Sequence, residues 1–142
     1  MKLARWLRLF GQDVSNPPPG VDDSVLIEIA LEEKRTLLTR DRALSQRCKK
    51  AGADCVLIRS SDLDEQLKEA KELGIPMRID PVRCTLCNGK LIEASEDERR
   101  KVPHIGENTP LWRCERCGKL YWEGSHWKNM EDRLKRIEES DS

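Results

Sequence analysis

An α/β layer followed by a small β module is the fold class this sequence predicts, and two observations carry it. Between residues 12 and 74, short apolar runs of strand length alternate with helical patterns, the mark of a parallel sheet covered by helices. Beyond Pro76 the composition shifts, because four of the six cysteines and three of the four tryptophans fall there. The chain has 142 residues, room for one domain or a small domain with an appendage. Its 26 basic and 26 acidic residues balance, with 13 of each in residues 1–76. No global field draws in nucleic acid, so any RNA contact must come from a local patch.

The elements read in order as follows. "KLARWLRLF" is a helix with Leu3, Leu7 and Phe10 on one face and Lys2, Arg5 and Arg8 on another, ended by Gly11. Bases at every turn deny it the continuous apolar run of a secretory signal, and no run approaches membrane-spanning length. A soluble, cytoplasmic protein is expected. "QDVS" is a possible short strand, and "NPPPG" an extended loop. "DDSVLIEIALEEKR" is a helix capped by Asp22 or Asp23, with Val25, Leu26, Ile29 and Ala30 buried. "TLLT" is a buried strand, "RDRALSQRCKKAG" a helix closing on Gly52, and "DCVLIRS" another buried strand. "SDLDEQLKEAKELG" is a helix capped by Ser61, with Leu63, Leu67 and Ala70 inward. "IPMRIDPV" is a linker, which places domain limits at 1–76 and 82–128, and residues 129–142 form a charged helix and tail.

Cys84 and Cys87 in "CTLC" and Cys114 and Cys117 in "CERC" form two knuckles separated by 26 residues. Thiolates two residues apart can bind one tetrahedral ion from a single turn, and two such turns complete a four-sulfur site. The flanks repeat as "RCTLCNGKLI" and "RCERCGKLYW", each with a glycine that lets backbone amides fold toward sulfur. This is the zinc-ribbon pattern, with "EASEDERRKVPHIGENTP" bulging between strands. The competing reading, disulfides or tandem redox motifs, is disfavoured without a secretory signal. Four thiolates leave no open position, so the zinc would be structural, with His104 and His126 as spare candidates. Cys48 and Cys55 read as ordinary core residues. Tyr121, Trp122 and Trp127, beside Arg113, Arg116 and Lys119, could stack RNA bases. The favoured alternative is that they form the core a small ribbon otherwise lacks.

In an open parallel sheet, ligands gather beyond the carboxyl ends of the strands. Asp41 follows "TLLT" there, Asp22 and Asp23 open the preceding helix, and Asp62 and Asp64 open the helix after the next strand. Converging carboxylates would bind a hard cation such as magnesium, although an Asp at a helix start is more often only a cap.

"KLARWLRLFGQDV", "DDSVLIEIALEEKRTLLTRDRAL", "VLIRS", the paired knuckles and "YWEGSHW" together resemble the Mut-seven C-terminal RNase domain family, from Lys2 to about Leu134. The resemblance implies a PIN-like nuclease fold with an attached zinc ribbon. It also implies a ribonuclease using Mg2+ or Mn2+, with Asp23 and Asp41 in its acidic cluster and Asp22 able to substitute for Asp23. Arg40 and Arg42 flank the site and could hold the phosphodiester of an RNA substrate, with tRNA or the ribosome as conceivable partners. Family members carry a strand ending in Asp before the "KLARWLRLLG" helix, whereas this sequence opens on that helix. Two expectations follow: either the start is placed too late and the strand with its Asp lies upstream, or the protein has lost that strand and one catalytic carboxylate, which would slow hydrolysis. The alternative is a catalytically weakened, zinc-ribbon protein that binds RNA or the ribosome.

Overall fold

The computed structural model describes residues 2–140, so the last two residues of the expected tail lie outside the described residues. The chain divides into two compact units. One is Asn16–Glu69; the other joins the residues up to Ser15 with those from Ala70 onward.

The first unit is built on two strands, β1 (Leu37–Thr39) and β2 (Cys55–Leu57), which pair in parallel with Leu38 opposite Val56. Parallel pairing requires a crossover, which α3 (Arg42–Lys50) supplies. Helix α2 (Asp23–Glu32) precedes β1. Ile27, Leu44 and Cys48 form the core, with Leu26, Leu37, Ala53 and Cys55 packed against them. On α2 the buried residues are Ile27 and Ala30, while Val25 stands exposed. The apolar positions of α2 run almost continuously, so periodicity alone could not centre the face, and the expected one was placed too far round. Helix α4 (Leu63–Glu72) straddles the boundary and buries Leu67 and Ala70 as expected. Its start is capped by Asp62, whose carboxylate accepts the Glu65 amide at 3.1 Å, instead of by Ser61.

The second unit contains α1 (Lys2–Leu9), three short antiparallel strands and α6 (Ser125–Ser140). Strands β3 (Leu91–Glu93), β4 (Leu111–Cys114) and β5 (Leu120–Trp122) form a sheet in sequence order. The segment between β3 and β4 holds a one-turn helix, α5 (Glu96–Arg99). It is fixed by a capping box in which Ser95 and Glu98 exchange side chain and backbone bonds. Helix α6 buries Leu134 and Ile137 and stacks Trp127 on Trp112 of β4, with ring centroids 5.9 Å apart. Helix α1 buries Leu3 and Leu7, Phe10 just beyond its end is also buried, and Arg133 of α6 lies over the Trp6 ring.

Two expectations fail along α1 and its exit. Residues 12–15 are not a strand, because the Val14 carbonyl and amide are taken by the Arg8 guanidinium and the Asn88 side chain and not by a neighbouring strand. Arg8 does not share a solvated face with Lys2 and Arg5; it is 3% exposed. Among the described residues, no helix is long and apolar enough to cross a membrane.

Candidate metal centre and acidic edge

The first knuckle is a turn closed by the Asn88 amide on the Cys84 carbonyl and the Cys84 amide on the Gly89 carbonyl. The second is closed by the Gly118 amide on the Cys114 carbonyl and the Cys114 amide on the Lys119 carbonyl. Both turns deliver their sulfurs to one place. The ligand atoms of Cys84, Cys87, Cys114 and Cys117 all lie within 4.8 Å of one another, with Cys84–Cys117 at 3.7 Å and Cys87–Cys114 at 3.4 Å. A tetrahedral ion with metal–sulfur bonds of about 2.3 Å sets its sulfurs about 3.8 Å apart. The four thiols therefore fit one structural ion such as zinc, and none of them is in a disulfide.

Hydrogen bonds aim at the sulfurs. The amides of Arg116 and Cys117 both reach the Cys114 sulfur at 3.4 Å. The Tyr121 hydroxyl lies 2.9 Å from the Cys84 sulfur. Burial opposes ionisation of Cys84, but the bonds from Tyr121, from the Cys87 and Leu86 amides and from Cys117 outweigh it and bring the thiol down to about 7. Burial pushes Cys87 up to about 12, reinforced by its hydrogen bonds to the neighbouring thiols. Sulfurs packed this closely cannot all ionise on their own, and a divalent cation removes that conflict. Burial and the Cys84 sulfur push the Tyr121 phenol up to about 12, which keeps it a donor.

Within the first knuckle the residue with positive φ is Asn88, at 69°, and not the following glycine. Gly89 is required for space. A Cβ there would stand 2.7 Å from the Cys114 sulfur, 2.9 Å from the Arg116 Cβ and 3.2 Å from the Cys87 sulfur. Tyr121, Asn88 and Arg8 are the participants that spacing did not reveal as neighbours of the centre. Only the "NG" after the first knuckle hinted at a special backbone position.

His104 and His126 lie outside the sulfur cluster, and His104 packs edge-on against Trp122 with centroids 5.5 Å apart. The aromatic residues also line part of a cavity of about 600 Å³, together with His104, Lys119 and Met130. Cys48 belongs to the core of the parallel-sheet unit; burial and a hydrogen bond from its own thiol to Cys55 push it up to about 11.

The carboxylates sit where the helix starts put them. Asp41 is the N-cap of α3, one residue beyond Arg40 at the end of β1, and its Oδ1 accepts the amides of Ala43 at 2.9 Å and Leu44 at 3.2 Å. Asp22 caps α2, with its Oδ1 3.0 Å from the Val25 amide. Asp23 pairs with Arg47 of α3 at 3.4 Å, and the same guanidinium donates to Ser24 at 2.8 Å. This links the start of α2 to α3, whose cap follows β1. Arg40 and Arg42 are exposed on either side of Asp41. Among the described residues, the four cysteines are the one group of three or more His, Cys, Asp or Glu side chains close enough to share an ion.

A short parallel sheet with acidic helix caps at its edge and a separate antiparallel module closed by four cysteines make this a mixed α/β protein whose cysteine cluster is consistent with a zinc ribbon. The chain belongs to the Mut7-C RNAse domain family, whose model matches residues 1–134. No curated protein and no solved structure matches it.

Proposed function

We propose that this chain is a metal-dependent ribonuclease of PIN-like type, a hydrolase of RNA phosphodiester bonds acting in the cytoplasm. The observation that carries the reading is the family match across residues 1–134, a domain described as an RNase. In this reading Asp41, Asp23 and Asp22 hold Mg2+ or Mn2+, Arg40 and Arg42 orient the phosphodiester, and Cys84, Cys87, Cys114 and Cys117 hold a structural zinc. Residues 1–76 then carry the nuclease chemistry, 82–128 the ribbon, and 129–142 a C-terminal helix and tail. These are divisions of role, distinct from the two units in which the chain packs.

Capping does not disqualify Asp41 as a ligand. Both of its amide bonds fall on Oδ1, which leaves Oδ2 for a cation. A divalent ion at such a site supplies an activated water and offsets charge on the phosphodiester. The chain's own groups fix the geometry: the α3 cap holds the Asp41 carboxylate, and Arg47 holds that of Asp23. The same occupancy favours a second reading, a nuclease-derived protein that binds RNA or the ribosome without efficient cleavage.

The test is cleavage of single-stranded RNA with manganese or magnesium by the wild type, Asp41→Asn and Asp23→Asn. A wild-type activity that chelator abolishes, and that both variants lose, supports the nuclease. Equal cleavage by all three places the chemistry elsewhere. An inert wild type that still binds RNA supports the binding protein.

A further inference from the structure

Arg8 is a buried cation whose hydrogen bonds, among the described residues, go to backbone carbonyls and not to a carboxylate. Its guanidinium donates from Nε to the Val14 carbonyl at 2.7 Å and from Nη1 to the carbonyls of Thr85 at 3.0 Å and Leu86 at 3.5 Å. Thr85 and Leu86 are the two residues between the first pair of cysteines. The groups whose ionised forms would favour the charged guanidinium are Cys84 and Cys87, followed by Tyr121. Burying a full positive charge is costly unless an opposite charge compensates it. Neutral thiols would provide no such charge. A divalent ion bound by four thiolates leaves the centre with two net negative charges, and the arginine then has its counter-ion.

The same corner is closed by three more contacts. The Val14 amide donates to Asn88 Oδ1 at 3.0 Å, Asn88 Nδ2 donates to Asp13 at 2.7 Å, and Arg83 lies 3.8 Å from the same carboxylate. Asn88 is buried directly behind Cys87. The exit of α1 is thus tied to the metal knuckle at both backbone and side chain level.

We propose that Arg8 is a positioning residue for the four-cysteine metal centre. It compensates the charge of the metal–thiolate cluster, and metal binding in turn fixes the end of α1 and residues 12–14 against the first knuckle. The proposal rests on reading the four cysteines as a metal site. It gives the centre a task beyond closing the ribbon, which is to hold in place the first helix of the chain.

The test measures zinc affinity of the full chain by competition with a chromophoric chelator, for the wild type, Arg8→Met, Arg8→Lys and the exposed control Arg136→Met. Losing a partner just outside the ligand shell lowers metal affinity about 10–100-fold. Arg8→Met should show that loss, Arg8→Lys a smaller one, and Arg136→Met none. Because Arg8→Met could fail to fold, amide exchange of the wild type is followed before and after zinc removal. The Val14 amide should lose protection with the metal, while the amides of β1 and β2 keep theirs. A wild type that binds no zinc overturns the metal reading and this inference together. Tight zinc binding by Arg8→Met equal to the wild type, or a Val14 amide that stays protected without metal, overturns this inference alone.

Discussion

In the ribbon, four sulfurs drawn from two turns 26 residues apart in sequence lie within 4.8 Å, and amides, a phenol and a buried arginine are directed at them or their turns. At the edge of the parallel sheet, Asp22 and Asp41 are spent on capping α2 and α3, and Asp23 on Arg47. One region has hydrogen bonds that converge on sulfurs placed to hold a cation. The other has carboxylates that cap their own helices or pair with an arginine of the next one. A soft, closed, structural centre can be assembled entirely by local turn geometry, because each knuckle contributes two ligands from four residues. An open acidic site, as the proposed function requires, would have to be assembled from separate helices whose aspartates are also their caps.

The sharpest way to break the ribbon side of this contrast is Gly89→Ala. The added methyl meets two of the four sulfurs, so the turn or the ligands must shift. Overpacking of this kind costs about 1–3 kcal/mol, and here the loss should also appear as weaker zinc affinity. Gly52→Ala is the matched control. Its φ of +82° strains any side chain, but a Cβ there meets nothing within 4 Å. It should cost about 1–2 kcal/mol of stability and leave zinc affinity unchanged. Denaturant melts and chelator competition on both variants check the pair; equal zinc affinity in the wild type and Gly89→Ala would mean the knuckle has slack.

The difference between the regions also explains what was legible in the sequence. "TLLT" and "DCVLIRS" could be read as parallel strands because each is an apolar run bounded by polar helix starts, and both pair as expected. The knuckles could be read because their spacing is a local geometric constraint. What escaped was long-range. "QDVS" looks like a strand, yet its partners are Arg8 and a residue 74 positions further on, Asn88. Arg8 looks like one more base on a charged face, since nothing nearby in sequence announces Thr85 and Leu86. The one-turn helix α5 was readable, because Ser95 and Glu98 spell its capping box, but that signal was hidden inside a segment read as a loop. On the acidic side the positions were legible and the roles were not. An N-cap and a metal ligand call for the same residue in the same place.

A smaller effect separates those two roles at Asp41. Asn caps a helix about as well as Asp, whereas Ala does not, and losing a cap costs about 1 kcal/mol. Asp41→Ala should therefore lower thermal stability by that amount, while Asp41→Asn should melt close to the wild type. If the proposed nuclease reading holds, both variants lose activity to a similar degree despite this difference in stability. Activity that tracks stability across the two would instead assign Asp41 to capping alone.

The smallest effect concerns the segment that joins β3 to β4. Glu98 accepts the Ser95 amide at 2.9 Å and pairs with Arg113 of β4, also at 2.9 Å. The Ser95 backbone bond, helped by the Ser95 side chain and by Arg113, holds the Glu98 carboxyl below its ordinary value. A carboxylate with a depressed folded-state pKa contributes stability above its unfolded-state pKa, and that contribution disappears as pH falls through the folded-state value. Protection of the Ser95 amide should thus decline in acid, below the usual carboxylate range. Glu98→Gln can still cap Ser95 but carries no charge, so its protection should show a flatter dependence on pH. Amide exchange across an acid series measures both. Identical slopes would mean that α5 is held by its neutral hydrogen bonds and that the Arg113 pair contributes nothing measurable, as is common for ion pairs this near the solvent.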